Sequence, residues 1–308
     1  MSDHENKQEE VELDIFNALS SKKVSDRISG INAFQSYLKT NDPITDLSDA
    51  IITCFKKQPD NPELFDFLSH FILTNTTEDL ENSIFSFFDD QRISILLNQP
   101  SSDSLIIFAS IYQVFISSSD LIVQKLFELF KDRPTETLCT ALSYITVSNL
   151  ELVQHLIQQT ETIQSLLESD NISLQIGAAR LALSSAVAEN YVSNFEELND
   201  IYGYKISTEN KKLYRKSFGE FLDELNGEFK GENIKIGRET IEIDSREFQD
   251  RYDMIKNGIN DGNLNYWLCK GLRVREFLGL GDVVTDVISK RQSKQEKQHE
   301  KIKRKQNK

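Results

Sequence analysis

The chain has 308 residues, 39% hydrophobic and 27% charged, with 19 Phe and 9 Tyr. That is enough for about two domains with substantial cores, and it excludes a disordered chain. The three cysteines, Cys54, Cys139 and Cys269, are odd in number and widely scattered, which excludes a disulfide framework and a paired-cysteine zinc site and suits a reducing compartment. Net charge is −14 but very unevenly placed: residues 1–204 carry 12 basic against 31 acidic residues, 205–289 carry 14 against 16, and 290–308 carry 9 against 2. An acidic body repels a polyanion while a compact basic tail attracts one, and the tail's field reaches only about a Debye length of ~8 Å. The distribution therefore predicts attachment at one end.

Residues 1–10 are polar and acidic, which predicts a disordered start and no secretory leader. From there the apolar spacing is helical. Val11, Ile15 and Leu19 sit four apart; Val24, Ile28, Ile31, Phe34 and Leu38 follow steps of three and four; Leu47, Ile51, Phe55 and then Leu64, Phe67, Leu68, Phe71 repeat the stripe. Asn61-Pro62-Glu63 reads as an N-cap, a first-turn proline and an acid on the positive helix end. Breaker clusters recur at Asn41-Asp42-Pro43, 59–62, Asn75-Thr76-Thr77, Asp89-Asp90, 98–103, 117–120, 132–134, Ser148-Asn149 and Asp170-Asn171. The most apolar run, 105–116, is too short for the ~20 residues of a membrane span. The alanine-rich run 176–187 (Ala178, Ala179, Ala182, Ala186) predicts a tightly packed inner helix.

Short helices joined by tight loops, with almost no strand-like alternation, predict an armadillo- or HEAT-like helical repeat domain over 11–203, with a helical bundle as the alternative. All five prolines precede residue 135 and ten of twelve glycines lie between 203 and 281, so the boundary is placed near 203. Residues 204–281 read as a small α+β domain. It comprises a helix over 211–225, a hairpin of Ile234-Lys235-Ile236 and Ile241-Glu242-Ile243 about Gly237-Arg238-Glu239-Thr240, and helices at 247–256 and 272–280. Gly279 serves as a helix terminator. A basic helix follows over 282–308, capped by Asp282.

Nothing in the chain carries catalysis. His4, His70, His155 and His299 are far apart, and no nucleophile elbow, P-loop or dinucleotide fingerprint occurs. The sequence predicts no enzyme, no metal and no cofactor. Tyr266-Trp267 reads as core rather than as a stacking platform.

The tail carries the functional signal. Lys290, Lys294, Lys297, Lys301, Arg304 and Lys308 fall at i, i+4, i+7, i+11, i+14 and i+18, one stripe on a 3.6-residue helix. Lys290, Arg291, Lys294, Lys297, Lys301, Lys303, Arg304 and Lys305 form a candidate RNA-phosphate surface. After Ile288 its only aliphatic residue is Ile302, so the tail has little to bury and folds most naturally against phosphates. Lys211, Lys212, Arg215 and Lys216 form a second, smaller basic group. The cluster 301–308 also reads as a nuclear-import signal.

Residues 217–281 resemble the C-terminal domain of the interferon-related developmental regulator family. The matching segments are Ser217-Phe218, Phe221-Leu222, Gly227-Glu228-Phe229, Ile234-Lys235-Ile236-Gly237-Arg238-Glu239, Ile243-Asp244-Ser245, Tyr252-Asp253, Lys256, Leu272-Arg273 and Glu276-Phe277-Leu278-Gly279-Leu280-Gly281. Two positions depart: Arg246 stands where a tryptophan is usual and Trp267 where a histidine is. The resemblance implies an armadillo-type solenoid with this domain appended. It further implies a cytoplasmic, monomeric factor on idle ribosomes that occupies tRNA sites, contacts rRNA and ribosomal proteins, with or without a bound tRNA, and lays its C-terminal helix in the mRNA channel. The alternative it implies is a nuclear transcriptional coregulator scaffold.

Overall fold

Where they are described, most breaker clusters in the first part lead into a helix start. Asn61 Oδ1 accepts from the Glu63 amide at 3.2 Å, Asp89 from Arg92 at 2.8 Å, Ser102 from Leu105 at 3.2 Å, Thr135 from Leu138 at 3.1 Å and Asn171 from Ser173 at 3.0 Å. These are the side chains that answer the orphan amides of a first turn. In this computed structural model the described residues are 3–38, 48–74, 78–98, 102–151, 153, 161–185, 220, 223–224, 227–236, 239–259 and 264–281.

Among the described residues these helices precede the hairpin: α1 (Asp3–Ser20), α2 (Val24–Leu38), α3 (Ser48–Lys57), α4 (Pro62–Thr74), α5 (Glu78–Phe85), α6 (Asp90–Leu97), α7 (Asp103–Phe115), α8 (Leu121–Asp132), α9 (Glu136–Thr146), α10 (Thr162–Leu167) and α11 (Ile172–Ser184). The start expected to be disordered is helical from Asp3, continuous with the amphipathic run that follows. Glu, Gln and Lys are good helix formers, and acids suit a positive helix end.

Helices α2, α4, α7, α9 and α11 pack one on the next, while α1 packs on α3, α3 on α5 and α6 on α8 beside them. The stripes predicted from spacing supply this packing. Ile15, Leu19, Ile31, Phe34, Ile51, Phe55, Leu64, Phe67, Leu68 and Phe71 are all buried, whereas Val11 and Val24 are exposed. Phenylalanines dominate the centre: Phe34–Phe67 centroids lie 5.2 Å apart, Phe55–Phe88 4.6 Å and Phe65–Phe108 5.7 Å. Ala178, Ala179 and Ala182 of α11 are buried as expected, close against α9.

The hairpin pairs β1 (Glu232–Ile236) with β2 (Glu239–Ile243) in antiparallel register, Ile236 facing Glu239 and Ile234 facing Ile241. Glu239 and Thr240, expected in the turn, belong to β2, so the register leaves only positions 237 and 238 for the loop. Three helices follow: α12 (Arg246–Gly258), α13 (Leu264–Lys270) and α14 (Leu272–Phe277). The protein is thus mainly helical, with one two-stranded sheet among the described residues.

Helix α12 lies across α4, α7, α9 and α11, and α14 reaches α4, so one apolar cluster joins both parts of the chain. The approach is tight: a Cβ on Gly258 would come within 2.5 Å of Leu73 Cδ1 and 2.8 Å of Ile111 Cδ1. Trp267 is core, its ring edge-on to His70 of α4 at 5.9 Å. The domain boundary near 203, most of the helix expected over 211–225 and the whole of 282–308 lie outside the described residues, although Glu220, Asp223 and Glu224 are helical.

Candidate nucleic-acid interface

Every basic residue singled out in the sequence lies outside the described residues: Lys211, Lys212, Arg215 and Lys216, and Lys290, Arg291, Lys294, Lys297, Lys301, Lys303, Arg304 and Lys305. What the structure describes is the platform from which the tail leaves. Its last turn ends as expected at Gly279, whose φ of +65° only glycine adopts without strain. The Leu280 amide donates to the Arg275 carbonyl at 2.8 Å and the Gly279 amide to the Glu276 carbonyl at 3.0 Å. These two bonds form a Schellman cap, which satisfies orphan carbonyls and turns the chain off the helix axis.

Two arginines on α14 then fix that exit. Arg275, 3% exposed, donates from Nε to the Gly281 carbonyl at 2.8 Å and from Nη1 to the Leu268 carbonyl at 2.8 Å and Glu239 at 3.1 Å. One guanidinium thereby holds α13, the hairpin and Gly281, the residue before the tail, together. Arg273 donates to the Ile72 carbonyl at 2.6 Å and to Glu81 at 2.6 Å and 3.2 Å, which pins α14 to α4 and α5. Replacing Arg275 with methionine keeps the bulk but strips two carbonyls of their donor, and it is expected to destabilise the protein by about 3 kcal/mol in chemical denaturation. Arg251→Ala is the control. Its ion-pair partner Glu247 is largely exposed and its bond to the Phe277 carbonyl is long at 3.4 Å, so the loss is expected to stay under about 1 kcal/mol.

A third arginine closes the seam between α11 and α12. Arg180 reaches Asp250 from Nε at 3.0 Å and Nη2 at 2.7 Å, and Asp253 from Nη2 at 2.7 Å. The Ser184 hydroxyl also donates to Asp250, at 2.5 Å. Burial alone would lower the Arg180 guanidinium, but Asp250 and Asp253 together hold it above its ordinary value. Burial raises the Asp250 carboxyl, against the opposing pull of Arg180, Ser184 and Arg246. Beside it Asn257 donates to the Tyr144 hydroxyl at 2.5 Å, a hydroxyl whose proton burial holds firmly.

Along this seam lies a cleft of about 400 Å³ lined by Ile176, Arg180, Phe229, Lys230, Arg246 and Asp253 among others. Its cations are already answered: Arg180 as above, Arg246 by Glu224, Lys230 by Asp223. Among the described residues the cleft therefore offers phosphate no unpaired cation, and its pairs serve to hold the hairpin and α12 in place. As structural anchors Arg180, Asp250, Arg273 and Arg275 escaped the sequence reading, Arg273 entering only with the family resemblance, because nothing in their local spacing marks them. Asp250 and Asp253 do fall three apart on one helix face, but acids are too abundant here for such a pair to stand out. Among the described residues no group of His, Cys, Asp and Glu is placed to hold a metal ion, and no helix is long and apolar enough to cross a membrane. Neither a family model nor a curated protein matches the chain.

Proposed function

We propose that this protein is a non-enzymatic ribosome-binding factor that keeps idle ribosomes dormant by occupying tRNA sites and inserting its basic C-terminal helix into the mRNA channel. The observation that carries the reading is the charge step: net +7 over residues 290–308 behind a body of net charge −21 over 1–289. A helix over 282–308 is about 40 Å long and about 10–12 Å across. In a channel that admits single-stranded message, such a rod excludes the message. The successive packing of α2, α4, α7, α9 and α11 supports an armadillo- or HEAT-like array, and the segments from Ser217 to Gly281 support membership of the interferon-related developmental regulator family. In this reading the acidic array faces basic ribosomal proteins, the tail faces rRNA, and the factor works in the cytoplasm as a monomer.

Sedimentation tests it. The full chain is expected to co-sediment with ribosomes lacking message, and log affinity should fall against log salt with a slope of roughly −4 to −5 for about six neutralised phosphates. A salt-independent interaction refutes the mechanism. The cluster 301–308 supports a second reading, a nuclear coregulator scaffold with the tail as import signal; nuclear enrichment without ribosomes would favour it.

A further inference from the structure

The first 204 residues hold only 12 basic side chains against 31 acidic ones, yet six of the twelve gather along one edge of the fold. The C-terminus of α1 is closed from two other helices. Lys57 Nζ donates to the Ser20 carbonyl at 2.7 Å and the Ser21 carbonyl at 3.3 Å. Arg27, 3% exposed, donates from Nη1 to the Ser21 and Lys22 carbonyls at 2.9 Å and 3.0 Å, and from Nε to Gln58 at 3.0 Å. Cations at a helix C-terminus are accounted for by its negative dipole end.

That account leaves three lysines over. Lys22, Lys23 and Lys56 are exposed and form no ion pair among the described residues, in the two thirds of the chain where acids outnumber bases by more than two to one. Lys22 and Lys23 project from the turn that Arg27 and Lys57 hold. Lys56, next to Lys57, lies 5.2 Å from the centre of the Phe87 ring, and the Arg92 guanidinium sits 3.8 Å over the same ring. The result is a narrow basic ridge from the α1–α2 turn, over the end of α3, to the start of α6.

We infer that this ridge is a second polyanion contact, at the end of the helical array far in sequence from the tail, and that it takes the sugar–phosphate backbone of a single-stranded RNA segment. The flanks decide the class of partner. Asp26, Asp60, Asp89 and Asp90 border the ridge in sequence, so a planar anionic membrane would bring acids within a Debye length of its own charge. A single strand, one phosphate wide, follows the lysines and meets fewer of these acids than a plane does. Phosphates there gain from Lys22, Lys23 and Lys56 at once, and the buried Arg27 adds positive field without itself being desolvated anew. The inference goes beyond the ribosome reading, because any extended RNA suffices.

Lysine acetylation of the full chain, read by mass spectrometry, tests it with a 40-nucleotide oligouridylate as probe. Acetylation of Lys22, Lys23 and Lys56 is expected to slow several-fold with the RNA and to be unchanged by phosphatidylserine vesicles or polyglutamate. Unchanged rates at an RNA concentration that protects the tail lysines overturn the ridge, as does equal protection by vesicles or polyglutamate. The triple variant K22E/K23E/K56E, all exposed positions, is expected to make the salt slope for that RNA shallower by about 2; an unaltered slope counts against the ridge. Loss of tail protection with the ridge still protected refutes the tail's role and leaves the ridge standing.

Discussion

Reversing charge at Lys290, Lys294, Lys297, Lys301 and Arg304 to glutamate is expected to abolish co-sedimentation with ribosomes at about 150 mM salt, while thermal unfolding stays nearly unchanged. Five reversals replace attraction to phosphate by repulsion along a single helical stripe. Each contact contributes about 0.7–0.9 to the salt slope, so removal of most of them takes away the electrostatic share of binding altogether. The fold is spared because the last nineteen residues hold one aliphatic side chain, Ile302, and so have little to bury. Co-sedimentation of this variant at normal levels would exclude the tail as the ribosome anchor. A melting point lowered by many degrees would show that the tail belongs to the fold.

Asp250→Ala is expected to cost about 3 kcal/mol, as much as the loss of Arg275, measured by urea denaturation. Asp250 is 1% exposed. Removing it leaves a hole in a packed seam, the Ser184 hydroxyl without its acceptor and the Arg180 guanidinium with Asp253 alone. Breaking a buried pair from one side costs about 3–5 kcal/mol, and the surviving Asp253 bond argues for the lower end. Asp253→Ala removes a carboxylate 22% exposed at its side chain, where water can replace it, so a loss below about 1 kcal/mol is expected. The double variant Arg180→Met with Asp250→Leu separates charge from packing. Buried pairs exchanged for apolar residues of similar bulk are often neutral, so it should recover most of the stability. Were Asp250→Ala as stable as the parent, the seam would not depend on this pair.

Helix by helix, the first part was legible because local signals sufficed. Asn61, Asp89, Ser102, Thr135 and Asn171 bond amides two or three residues away, and that reach is visible in a linear string. Gly279 behaves likewise, since a Schellman cap spans six residues and needs one left-handed position. The hairpin was legible except for its turn: alternation marked the isoleucines, but only the register shows that Glu239 and Thr240 pair with Ile236 and Lys235. Exposure was read less well. Val11 and Val24 continue the stripes yet face solvent, because the stripe states which residues share a face, not where the neighbouring helix ends.

Charge behaves in the opposite way. Composition by segment determined that this protein carries an acidic body and a basic end, because net charge is additive along a chain. Helical periodicity likewise determined a mainly α protein, because each stripe is a property of one helix. Only the tertiary structure decided which charges are already answered. Arg273 meets Ile72 and Glu81 about two hundred residues away, and Arg180 meets Asp250 across seventy. Lys22 and Lys56 come to one corner through the packing of α1 on α2 and α3. Pairing of charges falls off over a few ångströms, and distances of that order between remote segments are set by how helices pack rather than by the order of residues.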